Sequence, residues 1–410
     1  MYVSVRNVPV GSPPRAATRR VPRTVVVLGF VSLLTDVSTE MVTAVLPLFV
    51  TAGLGLSPLA FGVLDSVYQA GSAASRVAGG YAADRLRRPK AVATAGYALG
   101  MASKVLLLPA AGLGALSAAI GVDRIGKGLR TGPRDALIAA ASAPEALGRS
   151  FGVHRALDTL GALLGPVLAF YLLLAAPGDF DMVFVVSACI AGLGVLLLVA
   201  KVAERPHGGP ESPPRISLRG AGQLIARRKG MRRLMLAATV LSALTISDAF
   251  LYLALLEGGA VSSQAFPLLF LGTALVYLLA AVPLGELADR VGRARMFVAG
   301  HALIVCAYLA AGSASTWQAA ALALGLLGLY YAATDGVLPA AASMLAPAEW
   351  RSTAISSVQT AVAVGRSGAA LVFGSLWAVT GAATGLWLFA AALGVALLVV
   401  GPLLVRGERG

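Results

Sequence analysis

Acidic and basic side chains stand inside long apolar stretches of this sequence. Asp36 and Glu40 are four residues apart in the first stretch, so a helix would place both carboxylates on one face. Asp123, Lys127 and Arg130 follow with spacings of four and three, which also fit one helix face. Charges in apolar surroundings are costly, so they usually face a cavity and take part in moving ions or substrates.

These acids and bases suit proton transfer. A carboxylate takes up or releases a proton when it moves between a dry site and the neighbourhood of an arginine. We predict that Asp36 or Glu40 carries a proton and that Arg124 is its partner. The alternative is that these acids form fixed ion pairs that only hold helices together. Asp123 and Lys127 are close enough on a helix to neutralise each other.

Other polar residues are candidates for contact with a substrate. Asp248 and Asp335 are suited to binding a cationic group, and Tyr331 and Gln359 are plausible neighbours. The bases favour an anionic or zwitterionic substrate and the acids favour a cation, so the substrate's charge stays open. The expected substrate cavity comprises Lys127, Arg130, Asp248, Tyr331, Asp335 and Gln359.

The sequence offers no catalytic constellation, so we expect a protein that is not an enzyme and has no cofactor. The segment from Gly121 to Gly128 approaches a phosphate-binding loop but lacks the Ser or Thr after Lys127 that holds magnesium. The 3 histidines are dispersed, which makes no metal site convincing.

The residue composition explains what must position these charges. Of 410 residues, 58% are hydrophobic and only 13% are charged, whereas soluble cores stop growing near ~250–300 residues. We therefore predict an all-α polytopic membrane protein. Apolar segments long enough to span a bilayer lie at 25–50, 58–82, 91–111, 114–140, 150–174, 181–202, 233–256, 264–285, 295–314, 317–340, 352–378 and 383–405.

The polar segments divide the chain and orient it. We expect a cytoplasmic basic tail (1–24), a six-helix bundle (25–202), a cytoplasmic linker (203–232) and a second six-helix bundle with a short cytoplasmic tail (233–410). With the N-terminus inside, the loops predicted to face outward contain no Lys or Arg, which follows the positive-inside rule. The net charge of +14 is therefore an orientation signal, with anionic lipid headgroups as partners and no nucleic acid.

A short motif occurs twice, once in each half. Gly80-Tyr-Ala-Ala-Asp84-Arg85 ends the second span, and Gly285-Glu-Leu-Ala-Asp289-Arg290 ends the eighth. The repetition indicates duplicated, pseudo-symmetric halves, a property of many secondary transporters.

The duplicated loop resembles a motif of the major facilitator superfamily (MFS), and the layout of twelve spans is similar over the whole chain. The resemblance implies that spans 1, 4, 7 and 10 line a central cavity and that the loop is a conformational latch. Arg87 stands where the family prefers glycine, whereas the second copy keeps Gly292. The latch residues implied are Gly80, Asp84, Arg85, Gly285, Asp289, Arg290, Gly292 and Arg293.

Two further segments resemble family motifs. Arg124-Ile-Gly-Lys127-Gly128 is similar to an RxxQG motif whose arginine is tied to proton coupling. Helix-packing residues Gly161, Gly165 and Pro166 match a GxxxGP motif of drug:proton antiporters.

Together these resemblances imply a bacterial cell-membrane transporter, a monomer, that exports a small molecule in exchange for protons. An importer or facilitator is the alternative within transport. A membrane sensor or assembly partner that transports nothing is the alternative of another class.

Overall fold

The computed structural model describes residues 21–86, 88–143, 146–203, 229–346 and 351–407, with side chains except in 73–86, 351–353 and 406–407. In those ranges every regular element is a helix. The helices are α1 (Arg23–Leu48), α2 (Pro58–Leu86), α3 (Pro89–Leu107), α4 (Leu113–Ala141), α5 (Leu147–Ala175), α6 (Phe180–Lys201), α7 (Lys229–Ser242), α8 (Asp248–Glu257), α9 (Phe266–Val291), α10 (Arg293–Gly312), α11 (Trp317–Thr334), α12 (Val337–Met344), α13 (Arg351–Thr380) and α14 (Ala382–Gly407).

Long apolar helices dominate the described residues. Eight segments are long and apolar enough to cross a bilayer, among them α5, α6 and α9. The charged helix α4 is not one of the eight, because its stripe of bases and acids interrupts the apolar run. The expected all-α polytopic fold is confirmed, whereas the number of twelve spans stays a prediction.

The helices pack in two groups in chain order. In the first group, α1 packs on α5 and α6, and α4 packs on α2 and α3. In the second group, α10 packs on α11 and α14, and α13 packs on α7. Contacts between the groups include α2 with α13, α5 with α9, and α1 with both α8 and α9. The predicted tail and linker fall largely outside the described residues.

One segment predicted as a continuous span is broken. The chain leaves helical geometry at 243–247, between α7 and α8, where Ser247 has extended backbone with φ −73° and ψ 156°. Asp248 starts α8, so an acidic residue follows backbone that is not helical, an arrangement found where membrane helices line a site. Between α11 and α12, Asp335 and Gly336 form a turn whose backbone keeps right-handed helical angles.

Glycines bring α1 and α5 into backbone contact. A Cβ atom on Gly161 would lie 2.4 Å from the carbonyl oxygen of Leu33, and one on Gly165 would lie 2.7 Å from the Cβ of Glu40. The buried Pro166 follows within α5. Small residues permit such close packing of helices in lipid, and here they hold the charged faces of both helices together.

The two groups meet tightly on one side. We call the side where α1 begins the near side, and the side where it ends the far side. On the far side, a Cβ on Gly62 would lie 2.5 Å from the oxygen of Ala370, and one on Gly374 would lie 2.7 Å from the oxygen of Pro58. Helices α2 and α13 therefore touch backbone to backbone.

An aromatic cluster completes this closure. The ring of Phe250 contacts Phe61 edge-on at 4.9 Å between centroids and Phe373 at 5.0 Å. Trp377 packs on Phe373 and donates a hydrogen bond from Nε1 to Glu257, at 3.1 Å. Rings from α2, α8 and α13 thus seal the far side of the interface.

We expect the Gly161→Ala variant to be less stable by about 1–3 kcal/mol, because its methyl group would meet the backbone of α1. The matched control is Gly152→Ala on the same helix, where an added Cβ meets nothing within 4 Å. That control should be unchanged or up to about 1 kcal/mol more stable, since alanine favours helix. Thermal unfolding of the purified proteins in detergent measures both, and equal midpoints would contradict the packing argument.

Candidate functional site

A cavity of about 310 Å³ lies between the two groups of helices. Its volume falls in the range of small-molecule pockets, roughly 300–1,000 Å³. Apolar residues such as Val42, Leu64, Phe61, Ile120 and Phe270 form much of the wall. The polar lining consists of Thr39, Thr43, Asp65, Tyr68, Gln69, Ser103, Lys104, Asp123, Arg124, Ser247, Asp248, Tyr331 and Arg366.

A buried cluster of three charges forms one wall. Asp123 accepts hydrogen bonds from the Nζ of Lys104 and from the guanidinium of Arg124. Both basic side chains are only 3% exposed. The guanidinium of Arg124 also lies 4.0 Å from the ring centre of Tyr68, a cation–π contact. Each of the three charged groups therefore has a partner of opposite charge within the cluster.

The partners differ from those predicted for Asp123 and Arg124. Asp123 pairs with Lys104 rather than Lys127, because α3 brings Lys104 across to it. A Cβ on Gly126 would lie 2.7 Å from the oxygen of Gly96, so α3 and α4 touch along their backbones. That contact between neighbouring helices outweighs the local spacing on α4.

A second cluster joins α1, α4 and α5 closer to the near side. Arg130 donates to the carboxylate of Asp36 at 3.3 Å. The carboxyl groups of Asp36 and Asp158 lie within hydrogen-bonding reach of each other, and Arg134 approaches Asp158 at 3.7 Å. In this conformation Asp36 pairs with Arg130, which lies about 9 Å further along α4 than Arg124 at 1.5 Å per residue, and the coupling role of Arg124 stays a prediction.

Glu40 lies between the two clusters. Its carboxyl group is under the electrostatic influence of Lys127, Asp36 and Arg124. Within the part of the chain that the structure describes, Glu40 forms neither an ion pair nor a hydrogen bond. Lys127 is exposed and faces the same acids, Asp36 and Glu40.

A hydrogen-bonded network extends the second cluster toward the near side. Ser32 lies 2.9 Å from the Nε2 of His154 and 3.3 Å from the hydroxyl of Tyr97. Arg134 donates to Ser32 at 3.5 Å and to Asp135 at 3.0 Å. Polar groups therefore continue from Asp36 almost to the end of α4.

The second group of helices supplies the opposite wall. Tyr331 donates its hydroxyl hydrogen to Asp248. Arg366 donates to the hydroxyl of Tyr330 at 3.1 Å, and its guanidinium lies 5.6 Å from the ring centre of Tyr331. Asp335 lies in an adjoining cavity of about 220 Å³, which Asp248 and Tyr331 also line.

The predicted cavity residues therefore fall in four places. Asp248 and Tyr331 line the central cavity, and Asp335 lines its neighbour. Lys127 and Arg130 belong to the charge cluster around Asp36. Gln359 lies on α13 outside the linings of both cavities.

Three polar atoms around the central cavity lack a hydrogen-bond partner among the described residues. They are Oδ2 of Asp65, Oγ of Ser247 and Nε of Arg366. Gln69 and Ser247 lie beside the Asp65 carboxyl group but leave Oδ2 unsatisfied. A buried polar group without a hydrogen-bond partner costs about 1–3 kcal/mol of stability. These three atoms are therefore available for hydrogen bonds to a molecule in the cavity.

Sequence reasoning missed Asp65, Tyr68 and Gln69 on α2. The signal was present, since Asp65 is an acid inside an apolar span. Its position beside Ser247, Asp248 and Arg366 depends on how the two groups of helices pack, which the sequence does not show.

The family model for the Major Facilitator Superfamily matches residues 28–262. The chain belongs to this superfamily. It is therefore a multi-pass membrane transporter and not an enzyme, as the sequence indicated.

Relatives and solved structures agree with that assignment. An uncharacterised MFS-type transporter of Methanocaldococcus jannaschii is 29% identical over 368 residues, 88% of this chain and 90% of its own. An uncharacterised protein of Mycobacterium tuberculosis is 34% identical over 194 residues, 47% of each chain. The nucleoside transporter NupG (D323A mutant) shares the fold with a TM-score of 0.80 at 14% identity, covering 92% of this chain and 99% of that one. A POT family transporter in complex with a thioalcohol-conjugated peptide has a TM-score of 0.75 at 16% identity, covering 92% and 95%.

The duplicated loop of this MFS chain is described in its second copy. Gly292 separates α9 from α10 with φ +102°, a conformation that favours glycine. Asp289 and Arg293 form an ion pair at 2.7 Å, and Arg293 also contacts the sulfur of Met344 at the end of α12. Arg290 is exposed and Gly285 has open space around it.

In the first copy, only the helical backbone of α2 is described. The side chains of Asp84 and Arg85, the surroundings of Gly80, and Arg87 lie outside the described residues.

We expect Asp123→Asn to lower stability by about 3–5 kcal/mol, because it leaves two buried bases without their counter-charge. Lys104→Met should cost less, since Arg124 keeps its partner. The double variant should cost less than the sum of the two, as residues in one network are not additive. Thermal unfolding in detergent checks this, with the exposed Asp181→Asn as the control. Equal stability of Asp123→Asn and Asp181→Asn would show that the cluster is not structural.

Proposed function

We propose that this protein is a secondary active transporter that exports a small organic molecule in exchange for protons. The observation that carries the proposal is the meeting of Asp36, Arg130 and Asp158, from three different helices, next to a cavity between the two helix groups. Groups that bind protons and a cavity that binds a substrate must communicate in such a transporter. Here both share α1 and α4.

The packing of the two groups supports alternating access. The far side is sealed by the Gly62–Ala370 contact and by the rings around Phe250. On the near side, Lys127 and Asp335 are exposed although they belong to helices that border the interface. The described conformation is therefore the one open to the near side, and rocking of one group against the other would reverse it.

The acid pair supplies a place for the proton. A carboxylate takes up or releases a proton when the charges around it move. Asp36 and Asp158 are flanked by Arg130, Lys127 and Arg134. Movement of α4 relative to α1 and α5 would change how far these bases neutralise the pair, and so would release or take up a proton.

The distribution of basic residues supports a cytoplasmic near side. Lys90, Arg149, Arg290 and Arg295 all lie at near-side helix ends, where Lys90 also donates to the oxygen of Val199 at 3.1 Å. Positive loops face the cytoplasm in membrane proteins. We therefore propose that both termini are cytoplasmic in a bacterial cell membrane, that anionic headgroups bind these loops, and that the protein works as a monomer.

The structural neighbours support the class of cargo and no more. NupG is a nucleoside transporter, and the POT structure holds a peptide conjugate. Both cargoes are small organic molecules that fit cavities of this kind. The direction of transport rests on the resemblance of Gly161, Gly165 and Pro166 to the antiporter motif, so uptake is the rival outcome.

We expect this protein to give an efflux-deficient bacterium resistance to a chemically related set of toxic compounds. In inside-out vesicles with an imposed pH gradient, adding such a compound should collapse part of the gradient. Asp36→Asn and Asp158→Asn should lose both responses, yet still exchange labelled for unlabelled compound, because that exchange needs no net proton movement. Asp181→Asn, made to equal membrane levels, serves as the control.

The outcomes separate the parts of the proposal. Resistance and gradient collapse that survive in both variants would remove the acid pair from coupling while leaving export intact. Accumulation of compounds inside cells instead of resistance would favour uptake. Absence of flux in either direction over the whole set would contradict a transporter of small organic molecules.

A further inference from the structure

Three of the five unsatisfied buried polar atoms in the described residues lie around the central cavity. Asp65 Oδ2, Ser247 Oγ and Arg366 Nε lack partners, while only two other buried side-chain atoms of the described residues do so. All three residues line the same cavity. Native proteins satisfy nearly all buried polar groups. A cluster of exceptions at one cavity therefore points to a ligand that completes their hydrogen bonds.

The other charged groups that line the cavity already have partners. Asp123 is held by Lys104 and Arg124, and Asp248 accepts the hydroxyl of Tyr331. These groups bind one another and offer little to an occupant. What remains is one acid, Asp65, and one base, Arg366, which donates to the neutral hydroxyl of Tyr330 but has no acidic partner and leaves its Nε unsatisfied.

These two residues stand on opposite groups of helices but close in space. Ser367 on α13 donates to the backbone oxygen of Ser66 on α2 at 3.3 Å. Asp65 and Arg366 are the residues that immediately precede this contact, and their charges influence each other. They nevertheless form no ion pair in the described structure, although an open approach would favour one. Both side chains line the cavity, and no nitrogen of Arg366 lies within 4.0 Å of the Asp65 carboxylate.

The remaining wall is suited to an apolar body. Phe61, Leu64 and Phe270 line the cavity, as do Val42 and Ile120. A matching occupant carries a positive group for the carboxylate, a negative group for the guanidinium, and an apolar portion.

We propose that Asp65 binds the ammonium group, and Arg366 the carboxylate, of a zwitterionic substrate with an apolar side chain, such as an amino acid or a short peptide. This inference rests on the proposed transport function and names its substrate class. Because the two residues belong to different helix groups, a bound zwitterion bridges the interface between them. An amine or an acid alone reaches only one of the two walls.

Matched triads of compounds test the charge requirement. Phenylalanine, leucine and alanyl-phenylalanine are each compared with their amides, which keep only the positive charge, and their N-acetyl forms, which keep only the negative charge. Binding to the purified full-length protein is measured by the rise in its thermal midpoint with ligand concentration. We expect at least one zwitterion to bind on the order of tenfold more tightly than either of its two derivatives, the effect of one charge-assisted hydrogen bond.

Two variants should shift this preference in opposite ways. Asp65→Asn should weaken binding of the zwitterion on the order of tenfold and leave binding of the N-acetyl form unchanged. Arg366→Gln should weaken binding of the zwitterion and of the N-acetyl form and leave binding of the amide unchanged. Asp181→Asn and Arg295→Gln, at exposed sites, should behave as wild type. A fold defect alone would weaken all three forms together, so equal loss across a triad in both variants would overturn the assignment.

Other results would also decide the question. An amide or N-acetyl form that binds as tightly as its zwitterion would overturn the zwitterion assignment. Binding of none of the zwitterions, alongside resistance to other compounds in the efflux-deficient host, would overturn the substrate class and leave transport standing. Failure of both experiments would remove the proposed function as well.

Discussion

The cost of placing charge in an apolar interior governs this structure. Asp123, Lys104 and Arg124 are stable inside the first group of helices only because each is held by another. That requirement fixes the distance between α3 and α4 and the rotation of both helices. This arrangement forms one polar wall of the central cavity. The neighbouring cluster around Asp36 continues the row of charged groups along α4.

Glycine makes these short distances possible. The close approaches at Gly96 and Gly126, at Gly161 and Gly165, and at Gly62 each remove a layer of side chains between two helices. Helices in lipid gain little from hydrophobic association, so close backbone packing and polar contacts hold them together. The same contacts carry the charged faces of α1, α4 and α5 within reach of one another. Function and packing thus use the same pairs of helices.

The sequence alone predicted the class of fold and part of the site. Apolar length and the paired loop motifs indicated a helical membrane transporter. Of the residues proposed for the site, Asp248 and Tyr331 line the central cavity and Asp36 pairs with Arg130 beside it, while their roles stay predictions. Pairing was not predictable, because spacing along α4 suggested Lys127 for Asp123, whereas Lys104 reaches it from another helix. The break before Asp248 was missed for a similar reason, since hydropathy reports length and not hydrogen bonding.

The aromatic seal on the far side has a consequence for the speed of the conformational cycle. Opening it would part Phe250 from Phe61 and Phe373 and let water reach rings that together hide a large apolar area. Exposure of apolar area to water raises the heat capacity. The barrier to opening would then change with temperature, and an Arrhenius plot of turnover would be curved. Exposure of these three rings to water, more than the breaking of ion pairs, would then limit the rate of the conformational cycle.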